Sequence, residues 1–419
     1  MPFNKIRAVV PLVLIAAVIV SACAYAVPIS PRAQTSGSGF SLFNDNPVPF
    51  GKSPTTGLDW TGEYKPVLVQ VNNYLPSRPH WNLSAADIVY ETINGGYGNS
   101  NDRRYVTRYT AVYNDNRPTL VGAVRSARVH HLSLREEWDC PIVHFGGNDW
   151  YADSAKKNPL PTNILAFFRQ QNVSTSDPKD FSIDGANDGH DYNGSNNDFT
   201  QQLTRWTQSG EPREADHNAV ANVELIVNEY YPEDYAPRNH AFSFTDTPPT
   251  GFDSAIALSI EYGEDYLPSY TYNEATRTYE RSYCGEAQYD GYSKERLVAS
   301  NVIVQRATTT FYNGMSDGVL IDLVGEGDAD IFVGGRHIPA KWIRKNLADR
   351  TVFVDQMGVE IPLLPGKTFV QIIANTMNYT YTRADGSVIT QTPDSNKITE
   401  MENMEFDPES EERVRTESD

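Results

Sequence analysis

Two arginines, two histidines and a glycine pair carry most of the chemistry this sequence offers, and four of these groups fall between Thr119 and Trp150. Arg125 and Arg128 flank Ser126-Ala127, and His144-Phe145-Gly146-Gly147 begins sixteen residues after Arg128. Guanidinium groups offer a planar fork of donors that matches phosphate and carboxylate oxygens. Glycines lack a Cβ, so the backbone N–H groups of Gly146 and Gly147 can approach a ligand closely. His144, and His217 further on, would add donors whose charge changes near neutral pH. Asp87 supplies a carboxylate that either pairs with one of the arginines or takes part in chemistry. The plainer alternatives are a strand-end arginine paired with Asp87 or Glu91, and a Gly-Gly pair that only makes a turn. Ser126 is expected as a helix N-cap. As a nucleophile with His144 or His217 as base it lacks a Gly-x-Ser-x-Gly setting.

Positioning these groups requires strands that end where they begin. Thr119–Val124 and Cys140–Phe145 are short apolar runs, and between them apolar residues recur at helical spacing from Val129 to Trp138. Strand, helix, strand in so short a span predicts a βαβ unit with parallel strands. Ligands of such sheets collect beyond the carboxyl ends of the strands, at helix N-termini with unpaired N–H groups. Upstream, Lys65–Asn72 and Tyr105–Tyr113 read as strands, and Leu83–Asp87 as a helix start with Ser84 as its cap. Ile88–Glu91 fits either state. The polar loop 182–198 matches a calcium loop at Asp184 and Asp188-Gly189 but fails at Ala186 and Ser195, which favours ordinary Asx turns. No metal or other cofactor is expected.

The ends of the chain bound where it works. Lys5 and Arg7 precede an apolar run to Val20, too short for an ordinary membrane span, and Val20-Ser21-Ala22-Cys23 resembles the bacterial lipobox. That resemblance implies a signal peptide over 1–22 and lipid on Cys23; plain secretion, with cleavage near Ala24-Tyr25-Ala26, is the alternative. Residues 23–61 are rich in Pro, Ser, Thr, Gly and Asn and are expected as a flexible tether. A formal net charge of −19 over 419 residues argues against a nucleic-acid partner. Hydrophobic residues at 39% and 24 tyrosines predict ordinary packed cores. The fold class expected is an α/β domain over 62–235, with a mixed, partly parallel sheet and helices, then a mostly β domain over 250–392. In the latter, period-two runs separated by turn signals such as Gly334-Gly335 predict a sandwich or open barrel. Residues 393–419 are acidic and polar and are expected to be a disordered tail. Apart from Cys23, only Cys140 and Cys284 are present, and they are expected as two separate buried thiols rather than a disulfide.

With these residues in view, the chain resembles the YerB-like bacterial lipoproteins, a family defined by domains of unknown function (DUF3048). The motifs are Arg78-Pro79, Leu83–Glu91, Val121–Arg128, His144–Gly147, Asn301–Gln305 and Leu364–Gln371. Where the family shows Pro-His-Asn, this chain has Asp216-His217-Asn218. The resemblance implies an uncharacterised, lipid-anchored protein on the outer face of the cytoplasmic membrane, without an established reaction. From the residues, the first reading is a binding module for an anionic envelope component or a partner protein. The second is a Mg²⁺-dependent phosphotransferase or hydrolase acting on cell-wall precursors, loosely similar to LytR-CpsA-Psr enzymes, with Arg125, Arg128 and Asp87 in the ligand-gripping parts.

Overall fold

In the computed structural model the described residues are 48–97, 104–148, 151–153, 158–159, 161–170, 180–182, 200–202, 219–231, 237, 240–311 and 318–393. Cys23, His217, nearly all of the 182–198 loop and the expected tail lie outside them. The centre is an eleven-stranded mixed sheet that draws on both halves of the chain. Three strands are neighbours within it: β1 (Val67–Asn72), β2 (Ile88–Tyr97) and β3 (Arg104–Tyr113). β3 is antiparallel to both others, so β1 and β2 point the same way. Beyond β2 the sheet continues into Thr368–Ala374, parallel to β2, and then Asn301–Ala307, parallel to Thr368–Ala374. Every residue of β1, Asn301–Ala307 and Thr368–Ala374 is buried, as expected of strands covered on both faces.

What covers the two faces follows from strand alternation. Tyr90 and Thr92 of β2 face the helix α1 (Val129–Trp138), where the Trp138 indole donates to the Tyr90 hydroxyl at 3.0 Å. Glu91 points to the other face, against a seven-stranded antiparallel sheet. One of that sheet's strands, Thr278–Tyr283, alternates half-buried and buried, and it sends Tyr279, Arg281 and Tyr283 inward. An N-terminal mixed sheet with few helices, followed by mostly antiparallel strands, is therefore the architecture. One continuous apolar cluster runs through it.

Between the sheets lies a fully buried ion pair. Arg281 donates to Glu91 Oε2 at 2.6 Å, with both side chains at 0% exposure. Glu91 Oε1 also accepts from Thr107 at 2.7 Å and from the Tyr283 hydroxyl at 3.1 Å. Arg281 donates to the hydroxyls of Tyr270 at 3.0 Å and Tyr109 at 3.1 Å, and the Phe369 ring lies 5.0 Å from its guanidinium carbon. The strands that meet here come from residues 73–109 and from 270–371, so the pair ties the two halves of the chain together.

Several local expectations need correction. β4, Val121–Gly122, is only two residues long and pairs with Ala219–Ala221 in a separate small sheet. The parallel neighbours of β5 (Ile142–His144) are β1 and Asp180–Ser182, not the 119–124 run. Leu83–Ala85 makes one 3-10 turn with Asn82 in the cap position, so Ser84 caps nothing there, and Ile88–Glu91 is strand. Cys140 is buried as expected, whereas Cys284 is exposed, because Cys284-Gly285 forms a turn with both φ angles positive. Within 48–61, expected as the end of the tether, Ser53, Thr55 and Thr56 are buried under hydrogen bonds. The Gly334-Gly335 turn is as expected: φ angles of +57° and +70° suit a tight hairpin between Gly325–Val333 and Arg336–Arg344.

Candidate functional site

The carboxyl ends of β1 and β5 and the start of α1 form one polar corner. Two stretches are laid side by side there: Ala127 N–H donates to Gly146 O at 2.9 Å, Phe145 N–H donates to Arg125 O at 3.2 Å, and Ala127 bridges Gly147. Arg125 N–H in turn donates to Gln70 O on β1 at 3.0 Å. This brings Arg125, Arg128, His144, Gly146 and Gly147 together. Gly146 adopts φ +72°, and a Cβ on Gly147 would lie 1.9 Å from Ile164 Cδ1, so glycine suits both positions.

Residues that sequence reasoning passed over complete the corner. Strand parity puts Arg108 of β3, opposite Thr92 in register, on the face that α1 covers. Arg108 donates to the Ser126 carbonyl, and Arg128 donates to the Ala127 carbonyl at 3.0 Å. Ser126 is not the helix cap. The last extended residue before α1 is Arg128, whose N–H donates to His131 Nδ1 at 2.9 Å, closing the first turn. Because Nδ1 accepts, the His131 proton sits on Nε2, which lies 2.8 Å from Thr92 Oγ1 and donates to it. His130 is fully buried, its ring 4.2 Å from that of His131, and both of its nitrogens lack a hydrogen-bond partner. Burial, followed by the charges of Arg128 and Arg108, pushes the His130 imidazole down to about 3. Burial and the same neighbours hold His131 well below its ordinary range. His144 is buried too, with Nδ1 2.8 Å from Gly146 O. The sequence signal for these residues was His130-His131 two positions after Arg128, at the start of a helix.

Around this corner, Gln70 Oε1 and Asn94 Oδ1 are buried without hydrogen-bond partners. Arg125 is half-buried, its guanidinium 5.7 Å from the Phe145 ring, and Gly147 is exposed, so these two mark the rim. Buried cations, neutral imidazoles and the N–H groups of a helix start suit an anionic guest.

Asp87 lies elsewhere. It precedes the amino end of β2, whereas the corner is at the carboxyl ends of β1 and β5. Three strand spacings and about three residues of register put the two roughly 17 Å apart. Its Oδ2 accepts from Thr55 Oγ1, Asn114 N–H and Asp115 N–H, each at 2.9 Å, while Oδ1 has no partner. Burial and then the Asp115 carboxylate push it up to about 7. Arg125, Arg128 and Asp87 therefore do not share one site, and the phosphotransferase arrangement expected of them is not formed. Among the described residues no group of three or more His, Cys, Asp or Glu is placed to hold a metal ion.

Two family models match in chain order. The N-terminal domain of a protein of unknown function (DUF3048) matches residues 55–233, and the corresponding C-terminal domain matches 258–370. The chain belongs to the DUF3048 family. A relative named "Putative lipoprotein YerB", from Bacillus subtilis (strain 168), is 26% identical over 347 residues, covering 80% of this chain and 90% of its own. The crystal structure of YerB protein from Bacillus subtilis has the same fold, with a TM-score of 0.57 and 23% identity. That match covers 77% of this chain and 96% of that one. All the described residues of the corner fall in the N-terminal DUF3048 match, and Arg281 in the C-terminal one. Among the described residues no helix is long and apolar enough to cross a membrane.

Proposed function

We propose that this DUF3048 protein is held by lipid on Cys23 to the outer face of the cytoplasmic membrane and binds an anionic group at the start of α1. The guest is a phosphate or carboxylate of an envelope component or of a partner protein. One observation carries the reading: Arg108, Arg128, His130, His131 and His144 are buried together, with both His130 nitrogens unpartnered. Unpartnered buried polar atoms are costly, and a guest that accepts from the one N–H of the neutral His130 ring recovers part of that cost. His130 and His131 stay neutral at physiological pH, so they serve as oriented dipoles, and the arginines supply the charge. The resemblance to a relative named as a lipoprotein supports the anchor. Nothing in the geometry favours a catalytic reading over binding.

The test is thermal unfolding with inorganic phosphate, pyrophosphate or soluble wall fragments against sodium chloride at equal ionic strength. A ligand at a hundred times its Kd stabilises by about 2.7 kcal/mol. At least one of these probes should raise the midpoint in the wild type and fail to do so in Arg128→Ala. No shift with any probe, or a shift that survives both Arg125→Ala and Arg128→Ala, overturns the assignment.

A further inference from the structure

The turn at residues 53–57 is hydrogen-bonded on one side to the earlier strands of the fold and on the other to the later ones. On one side Ser53 Oγ donates to Asp115 Oδ1 at 2.7 Å and Thr56 Oγ1 to Asp115 Oδ2 at 2.6 Å. Thr55 Oγ1 lies 2.9 Å from Asp87 Oδ2 and 3.3 Å from Asp115 Oδ1, and its single proton can serve only one at a time. On the other side Gly366 N–H donates to Thr56 O at 2.7 Å, and Gly57 packs so closely on Phe244 that a Cβ would lie 2.4 Å from the ring. Thr368 N–H donates to Asp87 O at 3.1 Å, where Thr368–Ala374 lies beside β2. The turn therefore covers the seam at which the later strands join the earlier ones.

Beneath it are two carboxyl groups that compete for one donor, the Thr55 hydroxyl. Asp87 is only 2% exposed, and its three hydrogen bonds all reach Oδ2, leaving Oδ1 buried and unpartnered. A carboxylate in that position is a poor host for a full negative charge, and the Asp115 carboxylate beside it further favours the protonated form of Asp87. We propose that the 53–57 turn is a proton-operated clasp, closed across this seam while Asp87 holds a proton and loosened when Asp87 loses it.

The other titratable groups near Asp87 are few. Lys367 faces it from the edge of Thr368–Ala374, but its amine donates to the Ser84 carbonyl, and burial pulls it down to about 8. The phenols of Tyr64 and Tyr113 are buried and held above their ordinary range, so they stay neutral. Lys52 and Asp59 flank the turn and pair with each other at 2.7 Å. Asp87, pushed up to about 7 by burial and then by Asp115, is thus the group that changes charge between pH 5 and 7, with Lys367 following only at the upper end of the range, and the Asp87→Asn variant below separates the two. Because its pKa is raised in the closed state, closure is favoured at low pH and weakened as pH rises through about 7. If the lipid anchor proposed above is present, loosening frees the point at which the tether enters the folded body. The clasp itself does not depend on the anion site.

The experiment is amide hydrogen exchange on the mature chain at pH 5 and pH 8, corrected for intrinsic rates, following peptides that cover 48–60. Linkage sets a ceiling of about tenfold per pH unit over the range between the open and closed pKa values. Protection in the wild type should fall at least tenfold from pH 5 to pH 8, while the Asn301–Ala307 strand stays unchanged. Asp87→Asn mimics the protonated acid and should keep the turn protected at both pH values. Equal wild-type protection at both, or the same loss in Asp87→Asn, overturns the clasp. A carboxyl ¹³C titration of the wild type gives a second reading that needs no variant: an Asp87 midpoint in the ordinary carboxylate range also overturns it.

Discussion

Arg281→Met should be among the most damaging single substitutions in this protein. The side chain keeps similar reach and apolar bulk, but Glu91 stays at 0% exposure with its cation gone. Thr107 and Tyr283 still donate to Oε1, while the one charge that balanced the carboxylate disappears. Breaking a buried pair from one side typically costs about 3–5 kcal/mol, because the remaining charge is left in a low-dielectric interior. The hydroxyls of Tyr270 and Tyr109 lose their Arg281 contacts as well, which places the expectation at the upper end. With an unfolding entropy of ~2.1 cal/mol/K per residue, a body of roughly 340 residues should lose about 4–7 °C in Tm. Urea unfolding of the wild type, Arg281→Met, Glu91→Gln and the double variant, run as a cycle, checks this. The double variant should be less destabilised than the sum of the singles by more than ~1 kcal/mol. An Arg281→Met protein within ~1 kcal/mol of wild type, or strict additivity, would refute the claim that this pair ties the two sheets.

Three further outcomes follow from other parts of the fold. Gly147→Ala must displace Ile164 from a packed corner, since the added Cβ would lie 1.9 Å from its Cδ1, and should cost about 1–3 kcal/mol in denaturant unfolding. In the folded protein a thiol reagent should label Cys284 quickly and Cys140 only after denaturation, with the modified peptides read by mass spectrometry. His130, pushed down to about 3, should show no imidazole protonation between pH 8 and 5 by NMR. Its folded pKa lies below the unfolded value near 6.5, so its contribution is intact above about 6.5 and is lost as pH falls toward 3. His130→Phe should flatten that loss, and an unchanged acid limb would count against the burial argument.

How legible the site was depended on the distance between its parts along the chain. Arg125, Arg128, His144, Gly146 and Gly147 were read together because they flank one helix, and Ala127 does bond to Gly146 across the strand ends. Arg108 was missed because it sits inside an alternating strand, where nothing local distinguishes an arginine facing α1 from one facing water. His130 and His131 were not singled out, because nothing local shows that the fold buries both. Asp87 was grouped with the arginines on sequence order alone. Its real neighbours, Thr55 and Asp115, belong to a stretch expected as tether and to the bend just after β3.

Local pattern alone was sufficient for strands such as Lys65–Asn72 and Tyr105–Tyr113, the helix after Arg128 and the Gly334-Gly335 hairpin, since side-chain periodicity and φ preference act over a few residues. Membership of the DUF3048 family was likewise legible in motifs such as Val121–Arg128 and Leu364–Gln371. Only the folded chain decided that β2 and Thr368–Ala374 lie side by side, that Glu91 meets Arg281, and that Asp87 sits at the opposite end from the Arg128 corner. Those are long-range pairings. They are chosen by which apolar faces bury one another and which buried charges find partners, and no residue encodes that outcome by itself.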